Sequence, residues 1–325
     1  GRASHRAGLP CLRFSAPGFY ASFRAGLSTI HQICNLALRL FPTETGHGLA
    51  LRGLANGLGP HESADDYPTL AQSLFGLRFA NPVGVSAGFD KNALAVTGVA
   101  RLGGGFIEVG GVTPLAQAGN PRPRLFRLTP DRAAINRMGF NNDGADAVLQ
   151  RLLRHRTEKG TDRPIGVNMA ANATSDDPAQ DFVDLVTLFA PAVDYLTIDV
   201  SCPNTENGQV FLEPRALEDL LARLNTARDD SGVRPAMVAK LAPDLEAAHL
   251  AELIEIITAA DIDAITLCNT TTARPVTLQS PHAKQRGGLS GAPLFEMSNE
   301  MLRTVYRQTG GKVPLIGVGG IQSGA

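Results

Sequence analysis

Apolar and polar positions along the chain change their period near residue 80. Upstream, Leu27, Ile30, Cys34, Leu38 and Phe41 recur at i, i+3/i+4 spacing and predict an amphipathic helix over 27–41. Pro42-Thr43 stops it, and Leu51, Leu54 and Leu58 form the stripe of a second helix weakened by glycine. Downstream, short apolar runs alternate with helical ones. Strands are predicted near 81–86, 105–110, 164–169, 194–200, 236–241, 263–268 and 313–318, with helical stretches such as 180–190, 214–228 and 246–260 between them.

This alternation indicates a parallel sheet with helical crossovers. Several strands carry a polar residue late, among apolar neighbours: Asn168, Asp199 and Lys240, with Cys268 directly after Leu267. Side chains alternate faces along a strand, so the apolar set faces helices and the polar set converges at one end of a barrel axis. A doubly wound sheet does not gather polar groups from so many strands, and no GxGxxG opens the first strand-helix turn. The predicted fold class is therefore α/β, a (β/α)8 TIM barrel with a small N-terminal helical segment. The last readable strand, Val313–Val318, is followed only by Gly319–Ala325, so the chain reads as cut before the eighth strand.

Composition narrows the function classes. Net charge is −1 and 43% of the 325 residues are hydrophobic, which excludes overall polyanion-binding character and predicts no nucleic-acid partner. No apolar run reaches the roughly 18 residues of a membrane span. Cys11, Cys34, Cys202 and Cys268 lack metal-ligand spacing, so no metal is expected. Charge is uneven: residues 1–43 hold Arg2, Arg6, Arg13, Arg24 and Arg39 and no acid, +5 against −6 for the remainder. Residues 1–26 read as a basic leader: a mitochondrial presequence, a membrane-surface segment or a disordered leader. Residues 27–60 read as an amphipathic helical segment and 61–325 as the barrel.

Segments with chemistry fall at predicted C-terminal strand ends, where such folds place their sites. They are Ala87-Gly88-Phe89-Asp90-Lys91, Gly110-Gly111, Asp199-Val200-Ser201-Cys202-Pro203-Asn204-Thr205, Lys240, Cys268-Asn269-Thr270 and Gly317–Gly320, with Asn136–Asn142 in a long loop before the third strand. Each alone is an ordinary turn or capped loop; their placement on one face points to a site. Glycine pairs let backbone approach a flat ligand and offer N–H groups to phosphate.

These motifs, with Pro121–Arg127, Lys240–Asp244 and Gly287–Gly291, resemble the dihydroorotate dehydrogenase family, in family order over residues 34–325. Asn136–Asn142 and the helical segment with its Phe41-Pro42-Thr43-Glu44 junction are similar to the membrane-associated, quinone-using class 2. The resemblance implies an FMN barrel that oxidises (S)-dihydroorotate to orotate in pyrimidine synthesis and passes electrons to a quinone. A base takes a proton from C5 and hydride leaves C6. By position, Cys202 would be the catalytic base. Lys91, Asn136, Arg137, Met138, Gly139, Phe140, Asn204, Asn269 and Thr270 would bind substrate. Ala87, Gly88, Lys91, Gly111, Asn168, Asp199, Lys240, Cys268, Gly291 and Gly320 would bind FMN. Peripheral membrane association follows, at a bacterial inner membrane or a mitochondrial one.

The chain departs from class 2 around the cofactor. Cys202 stands where class 2 has Ser and is at home in the soluble class 1, whose acceptors are fumarate or NAD. Asp199 replaces an Asn, Gly111 and Cys268 each replace a Thr, and Ala170-Ala171 replaces Gly-Lys. Fumarate or NAD as acceptor, or a divergent paralogue without activity, are the alternative readings.

Overall fold

The computed structural model describes residues 34, 36–63, 67–158, 162–201 and 207–323. In chain order the strands are β1 (Gln72–Leu74), β2 (Leu77–Phe79), β3 (Gly84–Val85), β4 (Phe106–Val112), β5 (Leu125–Leu128), β6 (Ala133–Asn136), β7 (Ile165–Met169), β8 (Tyr195–Asp199), β9 (Ala236–Leu241), β10 (Ala264–Leu267), β11 (Gly288–Gly291) and β12 (Leu315–Gly317). The α-helices are α1 (Thr43–Ala55), α2 (Val96–Ala100), α3 (Ala145–Thr157), α4 (Pro178–Phe189), α5 (Pro214–Asp230), α6 (Ala247–Ala259) and α7 (Phe295–Gln308).

Seven strands form one parallel sheet in the order β12-β10-β9-β8-β7-β4-β3. They match the seven predicted strands and, with their helices, are staves of a (β/α)8 barrel. Every residue of β7, β8, β9 and β10 is buried, as parallel strands covered on both faces require. The helices follow their sequence signals. Pro178 opens α4 after an Asp177 cap that accepts from the Gln180 N–H, and Phe182, Leu185, Val186 and Phe189 face the sheet. Glu213 caps α5 likewise, and Leu217, Leu220, Leu221 and Leu224 are buried at helical spacing.

Three features depart from the predicted pattern. The Asn136–Asn142 loop begins as strand: β6 pairs antiparallel with β5 and β11 in a separate three-stranded sheet. A β1–β2 hairpin lies beside the N-terminal strand ends, where Phe75, Leu77 and Phe106 pack on Tyr195, Ala236, Val238 and Ala264. Leu58 lies beyond the end of α1 and is exposed, because Asn56-Gly57 ends the helix first. Most of the predicted 27–41 helix lies outside the described residues.

The N-terminal segment is fastened at named points. Leu51 and Leu54 of α1 are buried against the barrel, and Gly98 of α2 allows the approach: a Cβ there would stand 2.2 Å from the Leu54 carbonyl oxygen. Glu44 accepts from Arg124 Nη2 at 2.7 Å and from Arg122 at 3.0 Å. Burial alone would raise the Glu44 pKa, but hydrogen bonds and charge from Arg124 and Arg122 outweigh it, and the carboxyl lies below its ordinary value.

Candidate active site

Polar side chains from neighbouring strands meet inside the barrel. Asp199 and Lys240 are register partners on β8 and β9, and Asp199 Oδ2 lies 3.8 Å from Lys240 Nζ. Asn269, just past β10, donates its amide to Asp199 Oδ1 at 3.1 Å and Oδ2 at 3.4 Å, while its own oxygen accepts from the Thr270 N–H. Deeper on β4 lies Glu108, which accepts from the Thr197 hydroxyl at 2.9 Å. Burial raises the pKa of Asp199, more than Lys240, the Ser201 N–H, the adjoining Asn168 amide and Lys91 lower it. Burial likewise raises Glu108, against the pull of Lys240 and Thr197. Two buried carboxyls thus share one ammonium.

A cavity of about 580 Å³ opens beside this cluster. Of the residues singled out in the sequence, Ala87, Gly88, Lys91, Asn136, Met138, Lys240, Cys268, Asn269 and Thr270 line it. The Asp90 carboxylate shapes the 88–95 loop by accepting from the N–H groups of Asn92, Leu94 and Ala95. Asn168 is buried, with neither amide atom in hydrogen-bond geometry with a partner, and Thr266 Oγ1 is in the same condition. Cys268 Sγ donates to the Val318 carbonyl at 3.5 Å, and burial pushes its thiol up to about 11.

Other singled-out residues stand apart from the cavity lining. Arg137 donates to Pro123 O at 2.8 Å, Arg286 O at 3.0 Å and Gln285 Oε1 at 3.1 Å, and lies over the Phe126 ring. Phe140 is buried against Ala170 and also covers Gly111, where a Cβ would stand 2.7 Å from its ring. Gly139 packs on Asn120. Gly291 and Gly320 take left-handed φ of 98° and 70° and flank the start of α7; a Cβ on Gly320 would lie 2.8 Å from the Phe295 nitrogen. Cys202 and Asn204 lie outside the described residues.

The structure adds residues that sequence reasoning missed. Ser86 and Leu294 line the cavity from outside every motif and His47 reaches it from α1, while Phe89, Leu125, Ser290, Val318 and Gly319 lie inside quoted motifs without having been assigned a role. The His47 ring meets Phe89 edge-on at 5.3 Å, and burial lowers its pKa. Glu108 had a visible signal, an acid between Ile107 and Val109 in a predicted strand. His47 had none, because its position depends on how α1 docks.

A flat ligand with polar edges fits this arrangement. The Asn168 amide oxygen, buried without a donor, calls for one. Gly88, at φ 100°, would have nothing within 4 Å of an added Cβ, so its backbone is open to a close approach. Lys240 offers a fixed cation, and Gly320 packs against the start of α7, the kind of helix end that favours an anion.

Known proteins with this sequence pattern agree. The family model for dihydroorotate dehydrogenase matches residues 69–325. A protein of Rhodospirillum rubrum named dihydroorotate dehydrogenase (quinone) is 48% identical over 284 residues, 87% of this chain and 76% of the relative. One of Rhodopseudomonas palustris with the same name is 47% identical over 292 residues, 88% of this chain and 79% of its own. Among solved structures, the DHODH of Eimeria tenella in complex with ferulenol superposes with a TM-score of 0.82 at 33% identity, covering 86% of this chain and 80% of its own. On sequence, barrel topology and length of match, the chain belongs to the dihydroorotate dehydrogenase family.

Proposed function

We propose that the protein oxidises (S)-dihydroorotate to orotate, with FMN as resident cofactor and a quinone as electron acceptor. The observation that carries this is the cavity in which Lys91, Asn136, Asn269 and Thr270 converge with Ala87, Gly88 and Lys240. Ala87, Gly88, Asn168, Lys240, Gly291 and Gly320 would hold FMN, with the Asn168 amide satisfied by its polar edge and the glycines by its phosphate. Bound there, FMN supplies the two-electron acceptor for the CH–CH oxidation.

The chain's own groups do the rest. Lys91 offers a cation to the substrate carboxylate. Asn136 and the backbone around Thr270 fix the ring, and Cys202 takes the C5 proton as general base. Lys240 places positive charge where negative charge develops, and Asp199 moderates that charge. Residues 36–60, with Leu36, Leu40 and Phe41 exposed beside α1, form the apolar side from which a quinone reaches the cavity. They would seat the protein peripherally on a membrane; among the described residues, no helix is long and apolar enough to cross one.

Cys202 favours a second reading, fumarate or NAD as acceptor in the manner of class 1. Purified protein assayed for FMN absorbance and for dihydroorotate oxidation with each acceptor decides between them. Faster turnover with quinone supports the proposal. Bound FMN without orotate formation under any acceptor overturns the substrate assignment. Cys202→Ala is expected to keep FMN and lower the rate of flavin reduction by at least 100-fold.

A further inference from the structure

A second cavity, of about 670 Å³, lies beside the first. Arg137, Arg274, Lys284 and Arg286 line it, and none of its nine lining residues is Asp or Glu. Among the described residues none of these four cations forms a salt bridge, in a chain whose net charge is −1. Asp244 acts on Arg274 through space, but its carboxylate accepts from Thr271 and Thr272 instead.

Two of the four cations are rigid. Arg274 donates to the carbonyls of Gly287 at 2.6 Å, Gln285 at 2.8 Å, and Thr272 and Ala273 at 3.0 Å. Arg137 is held by Pro123, Arg286 and Gln285, as described above. Neutral oxygens orient these guanidiniums without cancelling their charge. Lys284 and Arg286 are exposed at the rim.

The two cavities have no lining residue in common, but the same chain segments supply both linings. Arg137 sits between Asn136 and Met138, which both line the first cavity, and Thr272 lies two residues past Thr270, which does too. An anion gathered in the second cavity is therefore adjacent to the first.

We infer that the second cavity is a capture vestibule for the small carboxylate anion that the neighbouring site consumes. Lys284 and Arg286 collect it, and Arg137 and Arg274 form the fixed positive wall. This rests on the reading of that site as one for dihydroorotate. A cleft of one sign raises the local concentration of its counter-ion and speeds association in a salt-dependent way.

The test compares the FMN-loaded parent with K284Q/R286Q and with the charge-keeping K284R/R286K. Neither residue lines the first cavity. At low salt the neutral variant is expected to lose about fourfold in kcat/KM for dihydroorotate, as two unit charges acting through water over about 10 Å imply. Its kcat and quinone KM should stay unchanged, and its salt dependence should flatten; K284R/R286K should match the parent. Chlorine-35 line broadening reads anion residence without turnover and should also fall in the neutral variant. Equal kcat/KM, salt slope and broadening in parent and neutral variant overturn the vestibule. Loss of binding to anionic phospholipid vesicles with kcat/KM unchanged also overturns it, in favour of a membrane contact. A parent that oxidises no dihydroorotate but loses broadening in K284Q/R286Q keeps the anion site and overturns the substrate reading instead.

Discussion

Lys240 Nζ stands 3.8 Å from Asp199 Oδ2, an ammonium and a carboxyl on adjacent strands, 7% and 4% exposed. Glu108 is buried within reach of the same charge. Removing the ammonium takes from two buried carboxyls the one cation that acts on both. Lys240→Ala is expected to cost about 3–5 kcal/mol of stability, read by chemical denaturation, together with loss of copurifying FMN.

Asp199 makes stability depend on pH in a defined direction. Its folded pKa is raised above the ordinary 3.8, chiefly by burial. Between those two values the folded state binds more protons than the unfolded one. The contribution is full below the unfolded pKa and is lost as pH rises through the folded one. Asp199→Asn removes that loss. It should raise stability at pH 8 above the parent's and flatten the profile of Tm against pH above 4. A variant profile as steep as the parent's would assign the slope to Glu108.

Glu44 has the opposite sign. Its folded pKa is lowered from the ordinary 4.5 because Arg124 and Arg122 outweigh burial. Its contribution is present above the unfolded pKa and is lost as pH falls through the folded one. Glu44→Gln also leaves the buried Arg124 without its carboxylate. The variant should lose roughly 2 kcal/mol at pH 7 and melt with less acid sensitivity. Limited proteolysis should then cut first near α1.

Gly98→Ala tests the seat of α1. The added methyl would stand 2.2 Å from the Leu54 carbonyl oxygen, so helix backbone has to move. A cost of about 2 kcal/mol is expected. The quinone KM should rise severalfold while the dihydroorotate KM holds. Unchanged kinetics toward both substrates would remove α1 from the acceptor side.

Cys268 should be a poor nucleophile although it lines the cavity. With its thiol near 11, about one molecule in a thousand is thiolate at pH 8. Iodoacetamide at pH 8, followed residue by residue by mass spectrometry, should modify the exposed Cys34 well before Cys268.

The parallel strands were legible because burial on two faces leaves unbroken apolar runs. Asn168, Asp199 and Lys240 were legible because a polar residue late in such a run has to point inward. Other features depend on distant pairing. β5, β6 and β11 are four residues each, and β11 lies far along the chain from its partner, so no local period marks them. Gly111 and Phe140 read as two separate motif residues; only the folded loop shows one covering the other. Arg137 reads as a substrate cation from its motif, yet the carbonyls of Pro123 and Arg286 turn it into the neighbouring cavity.

The packed aromatic floor has a consequence for traffic. Tyr195 fills the space where Gly166 has no side chain, Phe79 meets Phe75 and Phe106 edge-on, and the β1–β2 hairpin stops the N-terminal end of the barrel. Among the described strands, what remains open to ligands is the C-terminal end. An apolar oxidant and an anionic reductant must then arrive from the same side. They can be served at once only if the rim is divided, greasy beside α1 and cationic beside Arg137 and Arg274. On that division two chemically unlike visitors would use separate doors to one chamber.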